Sequence, residues 1–400
     1  MSITLLFDLD DTLLDTHLEA FMPAYFQALS EHLAGHVAPE AMLPALLGGV
    51  NLMSESEDPT RTLQEIFDGD FYDRLGIAKE DLVQTLEDFY DEVFPLLRHH
   101  TRPRPDAVEL IDWAFSCGHR IAIATDPLLP RKATRHRLRW AGFDPDRFEL
   151  VTTFEDFHFS KTHPAYYAEV LGRLGWPEGP ALMVGNDLDR DIVPASRLGL
   201  RTFLVDGESG SSFESGTGKP VTGHGKLADI RPWLEGIDLS LLEPSFHSPD
   251  AVLAVLVSTP AVLSSLCSSL TEEQCRKEPT SEDWAINEIV CHLRDTEREI
   301  HQLQLNLMIE KDGAFIPRPD SAVWASEREY LNIDGRAALR EFVQARVETL
   351  TRLKSLDRAM WQRAARHAIF GPTDFLEVVR FMADHDRLHV QQAWNTLRSV

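Results

Sequence analysis

The stretch "LLFDLDDTLLDT", Leu5 to Thr16, decides the reading of the first half of the chain. An apolar run, residues 3–7, leads straight into Asp8, Asp10 and Asp11. Such a run reads as a strand buried on both faces. Carboxylates crowded at its end repel one another, and their pKa values rise unless positive charge sits among them. In an open parallel sheet the carboxyl edge is where ligands bind. The cluster therefore predicts a cation-dependent site, with partners at the ends of other strands.

Working outward, further short apolar runs fall at 120–124, 150–153, 181–184 and 202–205. Helical patterns fill most of the gaps, for example 164–174 and 194–198. This alternation predicts a doubly wound α/β domain. Residues 16–102 carry helical periodicity, as in 20–33 and 81–97, without a clear strand, and read as an all-helical insertion. The Gly- and Ser-rich stretch 206–226 reads as a flexible surface loop. Residues 227–237 read as a last helix, and "EPSFHSPD" as a linker. From about Pro249 no strand-like run is expected. Four amphipathic helices, near 249–270, 284–311, 336–356 and 374–398, predict a four-helix bundle.

The strand ends supply a coherent set. Thr125 and Asp126 follow one run, Lys161 follows another, and Asn186, Asp187, Asp189 and Asp191 follow a third. Asp8, with Asp187 or Asp191, provides oxygen ligands for Mg²⁺; Asp10 belongs to the same candidate ligand set. Asp8 is the candidate nucleophile, and Asp10 the group that protonates the leaving oxygen and then activates water. Thr125 and Lys161 are expected to bind phosphoryl oxygens. Asp11, Asp15, Asp126 and Asp189 read as capping or solvated acids.

In the second half, His385 and His389 stand four apart on one helix face, together with Val378, Met382 and Ala393. His292 is in register with Ala285, Ile289 and Thr296, also an apolar side. Three imidazoles aimed at one bundle interior each need a partner. A shared divalent transition metal supplies it, and the ligand set does not distinguish Zn²⁺, Ni²⁺ and Fe²⁺. Asp295, Asp384 and Asp386 are either supports for those ligands or solvated acids. Cys291, about 100° round the helix from His292, reads as a packed thiol, and His158, His163 and His301 carry no supporting pattern.

"FDLDDT" at 7–12, "IAIAT" at 121–125, "SKTHP" at 160–164 and "VGNDLDRDI" at 184–192 resemble the four motifs of the haloacid dehalogenase-like hydrolase superfamily. The resemblance covers about residues 1–240. It implies a Rossmann-like core, 1–15 and 103–240, with a mobile helical cap at 16–102 that shapes substrate choice. The second aspartate, Asp10, favours phosphate-ester hydrolysis over dehalogenation. One departure is that the fourth motif reads Gly185-Asn186-Asp187, where Gly-Asp is common. The metal acids are then either Asp187 and Asp191, or Asp191 with Asn186 filling the first place. After a linker at 241–248, residues 249–400 resemble the DinB-like (YfiT-like) metal-binding bundles, through "W-x-I-x-E-I-x-x-H" at 284–292 and "H-D-R-x-H" at 385–389. That resemblance implies a divalent metal on His292, His385 and His389. It also implies thiol-transferase or metal-dependent hydrolase chemistry, with a low-molecular-weight thiol as a partner.

Composition narrows the partners. Across 400 residues, 39 basic and 64 acidic side chains give a net charge of −25. That disfavours nucleic acid or an anionic membrane as main partner, and is compatible with a small phosphorylated molecule held beside a bound cation. No signal peptide and no membrane-spanning run of about 18 apolar residues is expected. Four cysteines without a C-x-x-C pattern suggest a reducing cytoplasm. The expected protein is thus a cytoplasmic, Mg²⁺-dependent phosphatase fused to a metal-binding bundle. The alternatives are a bundle serving only dimerisation or metal binding, and a first domain that senses a phospho-ligand without turnover.

Overall fold

The computed structural model describes residues 2–206, 221–280 and 283–399. The chain divides into two compact units, Met1–Val170 with Glu178–Ser245, and Leu171–Pro177 with Phe246–Val400. The strands are β1 (Thr4–Phe7), β2 (Leu14–Asp15), β3 (Arg102–Pro103), β4 (Arg120–Ile123), β5 (Leu150–Val151), β6 (Ala181–Gly185), β7 (Arg201–Val205), β8 (Gly223–Gly225), β9 (Ala314–Ile316), β10 (Ala364–His367) and β11 (Gly371–Asp374).

In the first unit six strands pair in the order β5-β4-β1-β6-β7-β8. Every pairing is parallel. Strand β1 lies in the interior of the sheet and is buried along its whole length, as its three consecutive apolar residues Leu5–Phe7 require. Phe7 registers with Ile123 on one side and with Val184 on the other. The residues that follow these three, Asp8, Ala124–Thr125 and Gly185–Asn186, therefore emerge at one carboxyl edge.

Between β2 and β3, which form a two-residue antiparallel pair, the chain is helical. The helices are Leu18–Leu33, Pro39–Glu55, Leu63–Leu75 and Lys79–Asp88, followed by irregular turns to His100. Thr62 and Glu65 form a reciprocal capping box that starts the third of these, and Gly76 at φ +63° ends it. The first N–H groups of that helix have no partner within it. Leu63 N–H donates to Phe157 O (2.8 Å) and Gln64 N–H to Phe154 O (2.9 Å), which ties the insertion to the sheet domain.

In the second unit Pro249–Cys267, Ile286–Thr296 continuing to Glu310, Gly335–Lys354 and Phe375–Ser399 form the four helices. Ser248 caps the first through Ala251 N, with Pro249 at the opening position, and Asp334 caps the third through Ala337 N.

Three expectations are corrected. The second unit does contain strands: β9, β10 and β11 form a three-stranded sheet, with β10 antiparallel to β11 and parallel to β9. "AARH" and "GPTD" have little strand propensity, and pairing rather than composition makes them strands. Second, Gly223–Gly225 at the end of the Gly/Ser-rich stretch pairs with β7, so that part is not loop; residues 207–220 lie outside the described residues. Third, Pro249–Cys267 is long and apolar enough to cross a membrane, although no such run was expected. Most of its length is buried, as in the central helix of a bundle, and it packs against Gly335–Lys354 and Phe375–Ser399.

Candidate active site and candidate metal centre

Asp8 leaves β1 with its N–H on Val184 O (2.9 Å) and is 6 % exposed. The chain then turns at Asp11, whose φ of +58° an Asp tolerates. Asp11 Oδ1 accepts the N–H groups of Thr16 and His17, both at 2.9 Å, which makes it the capping acid of the turn. Asp15 stands 3.7 Å from Arg104.

The structure brings Lys161 between two of the carboxylates. Its Nζ donates to Asp8 Oδ1 (2.5 Å) and to Asp191 Oδ1 (2.6 Å). Lys161 is 2 % exposed and Asp191 1 %. A Cβ on Gly185 would stand 2.2 Å from Asp191 Oδ2, so only glycine at that strand end lets Asp191 reach this position. Burial pushes the Asp8 carboxyl up to about 7; the Lys161 ammonium works against this, and the Asp191 and Asp10 carboxylates add to it. Burial disfavours the charged Lys161, but Asp191 and Asp8 outweigh it and hold the ammonium above its ordinary range.

Asp10 is held from two sides. Thr16 Oγ1 donates to Oδ1 (2.7 Å), and the Arg137 guanidinium pairs with Oδ2. Arg137 is almost fully buried, and its Nε has no hydrogen-bond partner. It lies 127 positions from Asp10, on helix Arg131–Trp140, and no sequence pattern pointed to it. Thr125 is buried; its carbonyl accepts from Thr152 Oγ1 (2.6 Å) and Tyr166 OH (2.8 Å), which fixes the loop after β4.

Asp187 meets the cluster through its backbone, whose N–H donates to Asp191 Oδ2 (3.0 Å), and not through its carboxylate. It is exposed, and its Oδ1 accepts from Asp189 N–H (2.8 Å) and Arg190 N–H (3.1 Å), capping the turn that follows. Asn186 Oδ1 instead accepts from Thr12 Oγ1 (3.1 Å), beside the Asp8–Asp11 turn. Asp126 accepts Lys161 N–H (3.3 Å) and Arg190 Nη1 (2.9 Å), a structural pairing.

The donor set fits a hard divalent cation. Asp8, Asp10 and Asp191 are three carboxylates about one ammonium and one guanidinium, with Asp8 joined to Asp191 through Lys161 and Asp10 to Arg137. Carboxylate and amide oxygens are the ligands that Mg²⁺ takes.

In the bundle, ligand atoms of His292, His385 and His389 lie within 4.8 Å of one another. His292 Nε2 and His385 Nε2 are 3.1 Å apart. His389 Nδ1 donates to Gln392 Oε1 (2.9 Å), which leaves the lone pair on Nε2. Trp284 stacks on His389 at 5.7 Å between centroids and 6° between planes. Burial first, then the neighbouring imidazoles, pushes His292 down to about 3 and His385 well below its ordinary value. Burial lowers His389 as well. All three rings are thus held neutral, the form that ligates metal. His292 Nδ1 and His385 Nδ1 are buried without a partner. Two neutral rings facing each other through Nε2 and otherwise unpaired fit a shared cation.

The three candidate acids hydrogen-bond other side chains. Asp386 pairs with Arg346, Asp384 with Arg387, and Asp295 with Arg294, Arg328 and Tyr330 OH. Around Arg346, which is fully buried, a charged network was not anticipated. Its Nη2 donates to Glu297 Oε2 (2.7 Å) and Asp386 Oδ1 (3.0 Å). Glu297 also takes His301 Nδ1 (3.1 Å) and Thr349 Oγ1 (2.5 Å). The His301 ring, set aside on sequence grounds, lies 5.4 Å from the His385 ring. Gln392, three residues beyond His389, was also missed, although its helical spacing was readable.

Both halves of the chain are similar to known proteins. Residues 4–199 match the family model of the haloacid dehalogenase-like hydrolases, and residues 256–393 that of the DinB superfamily. The chain is 27 % identical over 210 residues to glyceraldehyde 3-phosphate phosphatase of Methanocaldococcus jannaschii, spanning 50 % of this chain and 83 % of that protein. It is 34 % identical over 102 residues to ribulose-1,5-bisphosphate 5-phosphatase of Halopiger xanaduensis, spanning 26 % of this chain and 41 % of that protein. Among solved structures, a HAD phosphatase from Thermococcus onnurineus superposes with a TM-score of 0.39 at 21 % identity, covering 59 % of this chain and 99 % of that one. The four-helix-bundle protein YfiT from Bacillus subtilis superposes with a TM-score of 0.34 at 18 % identity, covering 37 % and 85 %. The chain is a hydrolase of the haloacid dehalogenase-like family through its amino-terminal half, and it carries a DinB-superfamily domain in its carboxyl-terminal half.

Proposed function

We propose that the first domain is a phosphatase that removes phosphate from a small metabolite through an aspartyl-phosphate on Asp8. The observation that carries this reading is Lys161 bridging Asp8 and Asp191 at the carboxyl edge of a parallel sheet. Asp8, aimed out of β1, is the attacking carboxylate. Lys161 holds it and offers a point charge to the phosphoryl oxygens. Asp10, fixed by Thr16 and Arg137 on the same turn, delivers a proton to the leaving oxygen and then takes one from the attacking water. Thr125 lies at the edge where a phosphoryl oxygen needs a donor.

Asp8, Asp10, Asp191 and the side-chain oxygen of Asn186 would hold Mg²⁺, which when bound offsets the charge of the phosphoryl group. Asn186 is preferred over Asp187 because the Asp187 side chain is exposed and caps the following turn through Oδ1. The curated relatives are both named as phosphatases, which supports the same reaction class. In this reading residues 1–15 and 103–240 are the catalytic core, 16–102 the cap, 241–248 a linker and 249–400 the bundle.

For the bundle we propose a divalent transition-metal centre on His292, His385 and His389. Such a metal, with an open position, would lower the pKa of a bound water, to about 7 in the case of Zn²⁺. Gln392 and Trp284 orient His389 for it. Four free cysteines support a reducing, cytoplasmic setting, and the charge of −25 supports a small anionic substrate rather than nucleic acid or an anionic membrane.

The test is turnover of 4-nitrophenyl phosphate with Mg²⁺, parent against Asp8→Asn. An amide has nearly the shape of the carboxylate but cannot attack phosphorus, so turnover should vanish while the fold persists. Comparable rates in the two proteins would remove Asp8 as nucleophile.

A further inference from the structure

A cavity of about 410 Å³ opens beside Asp10 and Arg137, bounded by the helical insertion and by the loops after the strands. Its walls are mostly hydrocarbon. Met22, Phe26, Leu46, Phe67, Leu129 and Phe154 are representative. The phenols of Tyr25 and Tyr90 face each other at 2.8 Å. Gln64 and Tyr72 add an amide and a further phenol.

The charged lining groups are already engaged. Lys79 pairs with Asp68 (2.6 Å), Lys132 with Asp91 (2.6 Å) and Arg190 with Asp126 (2.9 Å). Glu155 accepts the N–H of Arg131 (2.8 Å), and Arg137 pairs with Asp10. A polyol entering this space would leave most of its hydroxyls against hydrocarbon, because the few polar groups offer only the donor and acceptor capacity that their ion pairs leave over. Each such hydroxyl weakens binding roughly 5- to 150-fold. A hydrocarbon group loses nothing there and leaves water.

We infer that the cavity takes the alcohol part of the substrate, and that this part is apolar: the substrate is a phosphate monoester of an aliphatic or aromatic alcohol, not of a sugar. The inference rests on the phosphatase reading for the cleavage step, since it places the scissile ester at the Asp10 end of the cavity. The volume has room for roughly a dozen methylene-sized groups. The two curated relatives are named for a triose and a pentulose phosphate, so this chain departs from them in substrate class.

The test uses the full chain with Mg²⁺ and a series of ethyl, butyl, hexyl and octyl phosphates, with phenyl phosphate, glyceraldehyde 3-phosphate and ribose 5-phosphate alongside. KM should fall by up to about fourfold for each added methylene until the cavity is filled. Hexyl phosphate should exceed both sugar phosphates at least tenfold in kcat/KM. Val83, a lining residue that is 43 % exposed, tolerates a charge at the surface. Val83→Asp should flatten the dependence on chain length. Calorimetric binding of hexyl and ethyl phosphate to Asp8→Asn separates the two claims. Tighter binding of hexyl phosphate without turnover by the parent would sink the phosphatase reading and sustain the apolar cavity. Turnover that favours the sugar phosphates, or equal binding of the two alkyl esters, would overturn the inference.

Discussion

Replacing Lys161 by Met keeps the stem of the side chain and deletes the ammonium that joins Asp8 to Asp191 at 2.5 and 2.6 Å. All three residues are nearly inaccessible to water. Removing one partner of a buried ion pair costs about 3–5 kcal/mol, because the remaining charge is stranded. At about 2–4 °C per kcal/mol for a domain of this size, the first transition should fall by roughly 6–20 °C. The loss should depend on pH. Asp8 holds its proton to about 7 in the folded protein, against an ordinary value of 3.8. Between those values the folded state binds a proton that the unfolded chain has released. The contribution of this group to stability therefore falls as pH rises through that window. Without Lys161 the carboxyl rises further, so the variant should lose most at pH 8 and least near pH 5. Added Mg²⁺ should restore part of the deficit at pH 8, since a cation among carboxylates relieves the same repulsion. Turnover should fall about 10²- to 10³-fold, as for loss of one preorganised donor. The assay is thermal denaturation followed by circular dichroism at pH 5 and 8, with chelator and with Mg²⁺, alongside steady-state rates. A transition within 2 °C of the parent at pH 8 in chelator, with a rate within threefold, would refute the reasoning.

Asn186→Ala and Asp191→Ala should each raise the Mg²⁺ concentration for half-maximal activity at least tenfold. Asp187→Ala should leave it nearly unchanged and cost about 1 kcal/mol of stability as a lost cap; an equal rise for Asp187→Ala would restore Asp187 as a ligand. His389→Ala should abolish stoichiometric transition metal in the purified full chain, measured by elemental analysis, while hydrolysis of phosphate esters continues. A parent protein that holds no such metal after reloading would make the three histidines ordinary core residues. Arg346→Met should destabilise the bundle by about 3–5 kcal/mol. Burial disfavours the charged Glu297, but Arg346 and His301 hold its carboxyl well below the usual range. Its stabilising effect is therefore present above about pH 4.5 and lost as pH falls. Glu297→Gln should flatten that acid limb in a pH series of melting curves, and an unchanged limb would exclude Glu297 as its source.

Much of this was legible in one dimension because it is local or periodic. A run of five residues, four of them apolar, closed by acids is a buried strand entering a ligand site, and five short apolar runs separated by helical patterns leave few topologies open. The spacing of His385 and His389 places them on one helix face in any helix. What sequence could not carry is pairing between distant residues and the competition among neighbours for one side chain. Asp187 and Asn186 are adjacent and both oxygen-bearing; only the folded turn sets Asp187 Oδ1 on two backbone N–H groups and brings Asn186 to Thr12. Arg137 reaches Asp10 across 127 positions, and Arg346 reaches Glu297 and Asp386 across 49 and 40. The strands β9 to β11 exist because partners complete their hydrogen bonds, not because their residues favour extension. The cavity beside Asp10 is a property of enclosed volume. It arises where helices of the insertion and loops of the sheet domain leave apolar side chains without neighbours, which no linear pattern records.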